Sequence, residues 1–216
     1  MSQQDDTPDQ SHAIERFSVF INQLREILAL AMEQPLDDTH LDAMLQRSES
    51  MVTLLRQHRQ KRALPLYNVN FPDGTSKGER YNNLMPYSPV SGDLNPIAPP
   101  LRYRGDGDKL CGEVSLGAVY EGPPNSVHGA VIAAIYDQLL AFANVDSGSA
   151  GPTATLKVNY LKPTPLNTPL TFVAWKAEQN GRKVLMRGEC HANGELLSDC
   201  EGLFIQFRPQ GANPSV

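Results

Sequence analysis

The sequence predicts an α+β fold in which one antiparallel sheet wraps around a central buried helix. Three observations carry this expectation. Residues 127–144 form a helical pattern that is apolar on nearly every side, as a core helix is. Four strand-like runs follow it, and Asn180-Gly181 and Asn193-Gly194 have the composition of two-residue hairpin turns. A further strand pattern precedes the helix. The order is therefore strand, helix and antiparallel meander, which a single sheet around a single helix satisfies.

Each segment has its own reason. Residues 1–10 are polar and read as a disordered tail. Residues 11–62 read as a helical extension. Its first helix carries a stripe of Ile14, Phe17, Ile21, Leu24, Ile27, Leu28 and Ala31, and Pro35 ends it. Asp37 or Asp38 can cap the second helix, which shows Leu41, Met44, Leu45, Met51, Leu54 and Leu55 on its apolar side and runs to about Arg62. The basic run 56–62 suits the negative end of that helix better than a nucleic-acid patch. Residues 63–107 are rich in Pro, Gly, Asn and Tyr and read as a long ordered connection, with room for short strands. The main domain is expected over residues 108–208, with strands at 108–120, 153–161, 170–179, 182–192 and 195–208. A flexible tail, 209–216, closes the chain.

Composition narrows the function classes. With 216 residues and a 40% hydrophobic fraction, the chain can bury a real core. A net charge of −5 gives no general attraction for nucleic acid. The apolar stretches are too short or interrupted to span a bilayer. Three cysteines make no disulfide framework, and a reducing cytoplasm is the expected location. An Asn193-Gly194 turn pairs Cys190 with Leu197 and Cys200 with Arg187, which puts the two thiols on opposite faces. No Cys/His cluster has metal-ligand spacing and no glycine-rich phosphate loop is present, so neither a metal nor a cofactor is expected.

The central helix carries the chemistry. Asp137 sits in its middle, where a buried carboxylate without a partner is costly and therefore points to a specific use. At its start, after Pro123-Pro124, Asn125 or Ser126 can act as N-cap, and His128-Gly129 follows. A glycine there lets a ligand oxygen approach unpaired backbone N–H groups. His128 and Asp137 are nine residues apart, so they lie about 180° apart around the helix and roughly 13 Å apart along it. They cannot serve one site from the same helix. Two antiparallel copies across a two-fold axis can bring the donor end of one to the carboxylate of the other, which makes a homodimer with two shared sites the economical expectation.

These residues resemble the hotdog-fold acyl-CoA thioesterase superfamily, in its phenylacetate-pathway-like branch. The resemblance rests on Val127-His-Gly-Ala-Val-Ile-Ala133 with Asp137 nine residues after the histidine, on the strand 153–160 with its proline-containing turn, and on the long hairpin strands that follow. It covers residues 108–207. It implies an acyl-CoA substrate, and Asp137 as general base or nucleophile on a thioester. It implies that the Gly129 N–H of the partner subunit polarises the carbonyl, that Thr153 orients the attacking water and that His128 shapes the oxyanion end. Asn125, Ala130, Thr155, Lys157, Lys162 and Arg182 are further substrate-binding candidates, the cations toward the CoA phosphates. A dimer or a tetramer of back-to-back dimers is implied, with no nucleic-acid or membrane partner. There are two departures: Ala130 replaces a second glycine, and Gly122 stands where some relatives carry a side-chain polariser. Two other readings remain. One is a non-catalytic acyl-CoA-binding module. The other is a hydratase, suggested by Gly92-Asp-Leu-Asn-Pro96 but lacking a histidine at Ala98.

Overall fold

The computed structural model describes residues 10–33, 37–58 and 81–207. The expected tails, the end of the basic run and the first part of the 63–107 connection lie outside the described residues. The chain divides into two compact units, residues 1–65 and 66–216.

The first unit holds α1 (Gln10–Glu33) and α2 (Asp38–Gln57). Asp37 caps α2 by accepting the His40 N–H at 2.9 Å, and that N–H, with the His40 ring, holds its carboxyl below the usual carboxylate range. No residue of α2 is buried; Leu41, Met44, Leu45, Leu54 and Leu55 are all exposed. The described helix ends at Gln57, with His58 as C-cap, and the expected stretch from there to Arg62 lies outside the described residues.

The second unit contains α3 (Tyr81–Leu84), β1 (Arg102–Asp106), β2 (Lys109–Val114), α4 (Gly129–Asp146), β3 (Thr153–Tyr160), β4 (Leu170–Asn180), β5 (Lys183–Ala192) and β6 (Glu195–Ile205). All strand pairs are antiparallel, in the order β1-β2-β4-β5-β6-β3. Both β1 and β3 are therefore edges. The expected strand 108–120 is shorter than its sequence pattern suggested. Gly107, at φ +61°, turns β1 into β2, and the chain leaves the sheet after Val114 for a 3-10 turn at Ala118–Tyr120.

Helix α4 lies across the inner face of the sheet and buries Ile132, Ile135, Tyr136, Leu139, Leu140 and Phe142. Phe172, Val184, Met186 and Phe204 meet it from the strands. Each such side chain contributes about 2 kcal/mol relative to exposure. Glycines let the helix approach. A Cβ on Gly188 would stand 2.9 Å from Cys200 Sγ and 3.3 Å from the Tyr136 ring, and one on Gly202 would stand 2.7 Å from Leu140. The Tyr136 hydroxyl is held by the Ser198 carbonyl at 2.9 Å and the Ser198 hydroxyl at 2.8 Å, so its polar tip is satisfied inside the core.

One turn expectation holds, while a second turn and a register change. Asn193-Gly194 is the β5–β6 turn, both residues at positive φ. The β4–β5 turn is Gly181-Arg182 instead of Asn180-Gly181, because Asn180 still pairs with Lys183. A bulge between Cys190 and His191 shifts the β5–β6 register, so Cys190 faces Ser198 and Cys200 faces Gly188. The two thiols thus share the inner face, not opposite faces. All three cysteines are free and buried, and burial pushes the Cys190 and Cys200 thiols up to about 12.

Candidate active site

The turn before α4 is built around one glycine. The amide of Gly122 donates to the Ser126 carbonyl at 2.9 Å, and a Cβ at this position would stand 2.7 Å from the His128 Cα. No side chain fits at 122, which accounts for the missing polariser there. Asn125 takes a left-handed conformation, φ +59°, and its N–H donates to the Glu121 carboxylate at 2.7 Å; it is an exposed turn residue, not a cap. Neither Asn125 nor Ser126 caps α4.

His128 is the N-cap. Its Nδ1 accepts the Ala130 N–H at 3.0 Å, so the imidazole carries its proton on Nε2 in this arrangement. The His128 carbonyl accepts the Val131 N–H at 2.9 Å and the Ile132 N–H at 3.3 Å. A helix begins with four N–H groups that lack an intrahelical partner. The His128 N–H donates to the Tyr120 carbonyl at 2.9 Å, the Ala130 N–H to His128 Nδ1 and the Val131 N–H to the His128 carbonyl, which leaves the Gly129 N–H as the one of the four with no partner among the described residues, at the positive end of the helix.

Asp137 is exposed, against the expectation of a buried carboxylate. Thr153 Oγ1 donates to its Oδ1 at 2.9 Å, and Oδ2 has no hydrogen-bond partner among the described residues. The helix is therefore not covered on all sides. Along the face of Asp137, Ala130 is exposed and Ala134 and Ala141 are half-buried, so one shallow, largely alanine stripe stays open beside the edge strand β3. The physical reason is sheet order: β3 ends the sheet, and none of the described residues of this unit lies beyond it to cover that side of α4.

A bulge separates Thr153 from Thr155. Thr153 pairs with the buried Phe204 and turns inward to Asp137, whereas Thr155 pairs with Leu203 and is exposed. Only Thr153 meets the carboxylate. Of the cations, Lys157 lies opposite Glu201 on the sheet, Lys162 forms an ion pair with Glu195, and Arg182 donates through Nε to the Gln206 carbonyl at 2.9 Å. They do not form one cluster. Lys162 follows Tyr160, at the Gly129 end of β3; Arg182 lies by Gln206, at the Thr153 end. The segment Ser91–Ile97 forms tight turns, and Ala98 beyond it is fully buried, with no histidine there for hydratase chemistry.

Tyr160, which the sequence reads as a structural residue, also touches the start of α4. Tyr160 Oη donates to the Gly129 carbonyl at 2.8 Å, and its ring lies 3.3 Å from where a Cβ on Gly129 would stand. Among the described residues no group of three or more His, Cys, Asp or Glu is arranged to hold a metal, and no helix is long and apolar enough to cross a membrane.

Comparison with known proteins agrees with this architecture. Residues 124–198 match the sequence profile of the thioesterase superfamily. A thioesterase superfamily protein of known crystal structure is 28% identical and superposes with a TM-score of 0.75, covering 88% of this chain and 94% of that one. The acyl-coenzyme A thioesterase THEM4 of Bos taurus is 29% identical over 96 residues, 44% of this chain. The match spans only 39% of that protein. A lower-scoring likeness is to the E. coli PaaI protein of the phenylacetic acid degradation operon, at 17% identity and a TM-score of 0.46, covering 49% of this chain and 82% of that one. The sheet-and-helix unit has the hotdog architecture, and residues 124–198 within it are similar to the thioesterase superfamily.

Proposed function

We propose that the protein is an acyl-CoA thioesterase that works as a homodimer, each site combining Asp137 and Thr153 of one chain with Gly129 of the other. One observation carries the reading. The free N–H of Gly129 and the free Oδ2 of Asp137 are both presented at the surface of a single chain, at opposite ends of the same open edge strand. Thr153 and Tyr160 are seven residues apart on β3, roughly 23 Å. Pairing that edge antiparallel with its copy brings the Thr153 end of one chain to the Tyr160 end of the other. It joins the two half-sites twice and covers the alanine stripe. An unpaired strand edge is a template for such pairing.

The chemistry follows from the parts. The thioester carbonyl oxygen accepts the Gly129 N–H, which stabilises the charge that develops there. Asp137 removes a proton from water as the water oxygen bonds to the carbonyl carbon. Collapse breaks the C–S bond, and the thiolate takes up a proton to give free CoA and the acid. Water is the only co-reactant. Thr153 holds Oδ1, so Oδ2 is the oxygen that faces the water. Lys162 of one chain and Arg182 of the other flank the joined ends, where the CoA phosphates are placed; Lys157 lies mid-strand, away from both.

The test is thiol release from short, medium, long and aromatic acyl-CoAs, with Asp137→Ala beside wild type. A loss of at least about a hundredfold in kcat is expected, the scale of removing a positioned acid or base. Wild-type protein that binds acyl-CoA without releasing thiol on any substrate would falsify the reading and leave a binding module.

A further inference from the structure

We propose that Tyr160 is a positioning residue that pins Gly129 so that its N–H points at one fixed place; the role of that N–H rests on the function proposed above. A glycine is a poor choice for a fixed donor, because its backbone is the least restrained of any residue. Yet both peptide planes flanking the Gly129 Cα are held. On one side the His128 carbonyl accepts two helix N–H groups, at 2.9 and 3.3 Å. On the other, the Gly129 carbonyl accepts the Tyr160 hydroxyl at 2.8 Å, and the Ala130 N–H of the same peptide donates to His128 Nδ1 at 3.0 Å. The second plane is therefore gripped at both its oxygen and its nitrogen. The free Gly129 N–H lies in the first plane, with the His128 carbonyl; holding the second plane as well removes the freedom of the glycine φ and ψ between them, so the first plane and its N–H cannot tilt.

The phenol is not there to rescue an orphan group. Helix geometry already supplies the Gly129 carbonyl with a donor from Ala133, and this end of the helix is reachable by water. Tyr160 is 53% exposed, so its ring gains little from burial. What the contact adds is direction, in a position where preorganised donors have their largest effect. The same ring explains the glycine. A Cβ at 129 would lie 3.3 to 3.5 Å from three Tyr160 atoms, a spacing the ring must yield to accept. Gly129 and Tyr160 form one matched pair, and each sets what the other can be.

The experiment uses the full chain with Tyr160→Phe, which keeps the ring and removes the donor. On the best acyl-CoA substrate, kcat should fall about tenfold with KM within about twofold, because the effect is on the transition state and not on ground-state binding. Melting temperature and native mass should not change. Hydrogen exchange of the Ala130 amide, followed by NMR, should become at least about fivefold faster, since the plane it belongs to has lost one of its two grips. Gly129→Ala should cost less activity in a Tyr160→Leu background than in wild type, the non-additivity of residues in contact. Wild-type kcat with wild-type Ala130 exchange in Tyr160→Phe overturns the proposal. If wild type itself releases no thiol, the thioesterase reading falls. The clamp is then decided by exchange alone, and unchanged Ala130 exchange overturns it.

Discussion

Thr153 and Asp137 meet through one hydrogen bond between an edge-strand hydroxyl and a helix carboxylate. If Oδ1 is occupied so that Oδ2 faces the reacting water, Thr153→Ala should lower kcat about tenfold while Thr153→Ser retains most of it, measured by thiol release. Asp137 was legible in the sequence because a carboxylate amid apolar helical residues is conspicuous. Its exposure was not, since a helix apolar all round looks the same whether its last face is covered by its own chain or by another. The choice of Thr153 over Thr155 was also hidden. Alternation puts both on one pleat face, and only the bulge between them separates the two. Gly122 was legible as a missing polariser, but not as the space that His128 needs.

The elements were largely readable, and the discrepancies fall at their ends. Strands β3 to β6 and helix α4 match their periodic patterns within a few residues, because long amphipathic or apolar periods override local ambiguity. Capping chemistry misled at α4, where an imidazole takes the role that Asn or Ser usually fills. Two residues test how closely helix and sheet are fitted. Asn144 is completely buried in α4, with neither side-chain amide atom hydrogen-bonded among the described residues. Replacing such a group with an apolar one of similar size removes a desolvation cost, so Asn144→Leu should raise stability by about 1 kcal/mol in urea denaturation. Gly188→Ala should lower it by about 1–3 kcal/mol, because the new methyl meets Cys200 and the Val173 carbonyl at once.

For the whole molecule, the thiols report on the integrity of the core. Cys111, Cys190 and Cys200 are buried, so a thiol reagent should label none quickly in the native protein and all three in denaturant. Burial raises the Cys190 and Cys200 thiols to about 12 from an ordinary value near 9. The unfolded chain therefore loses these protons first, and stability should decline as pH rises above about 9 and through 12. The proposed shared site makes a second prediction. Mixed dimers of Asp137→Ala and Tyr160→Leu chains contain one site with neither substitution, so co-expression should give more activity than the mean of the two variants alone, with about a quarter of wild type coming from the intact site by random assortment. Separately purified variants that gain no activity over their mean after mixed refolding would place each site within one chain.

The outward-facing Asp137 and Gly129 have a consequence for how the protein behaves on dilution. If one chain holds only halves of sites, turnover per molecule is not a constant. Below the dissociation constant of the pair, thiol release should rise with the square of total protein, and above it in proportion. The cell's supply of this chain would then set not only how much enzyme there is but whether each copy is switched on.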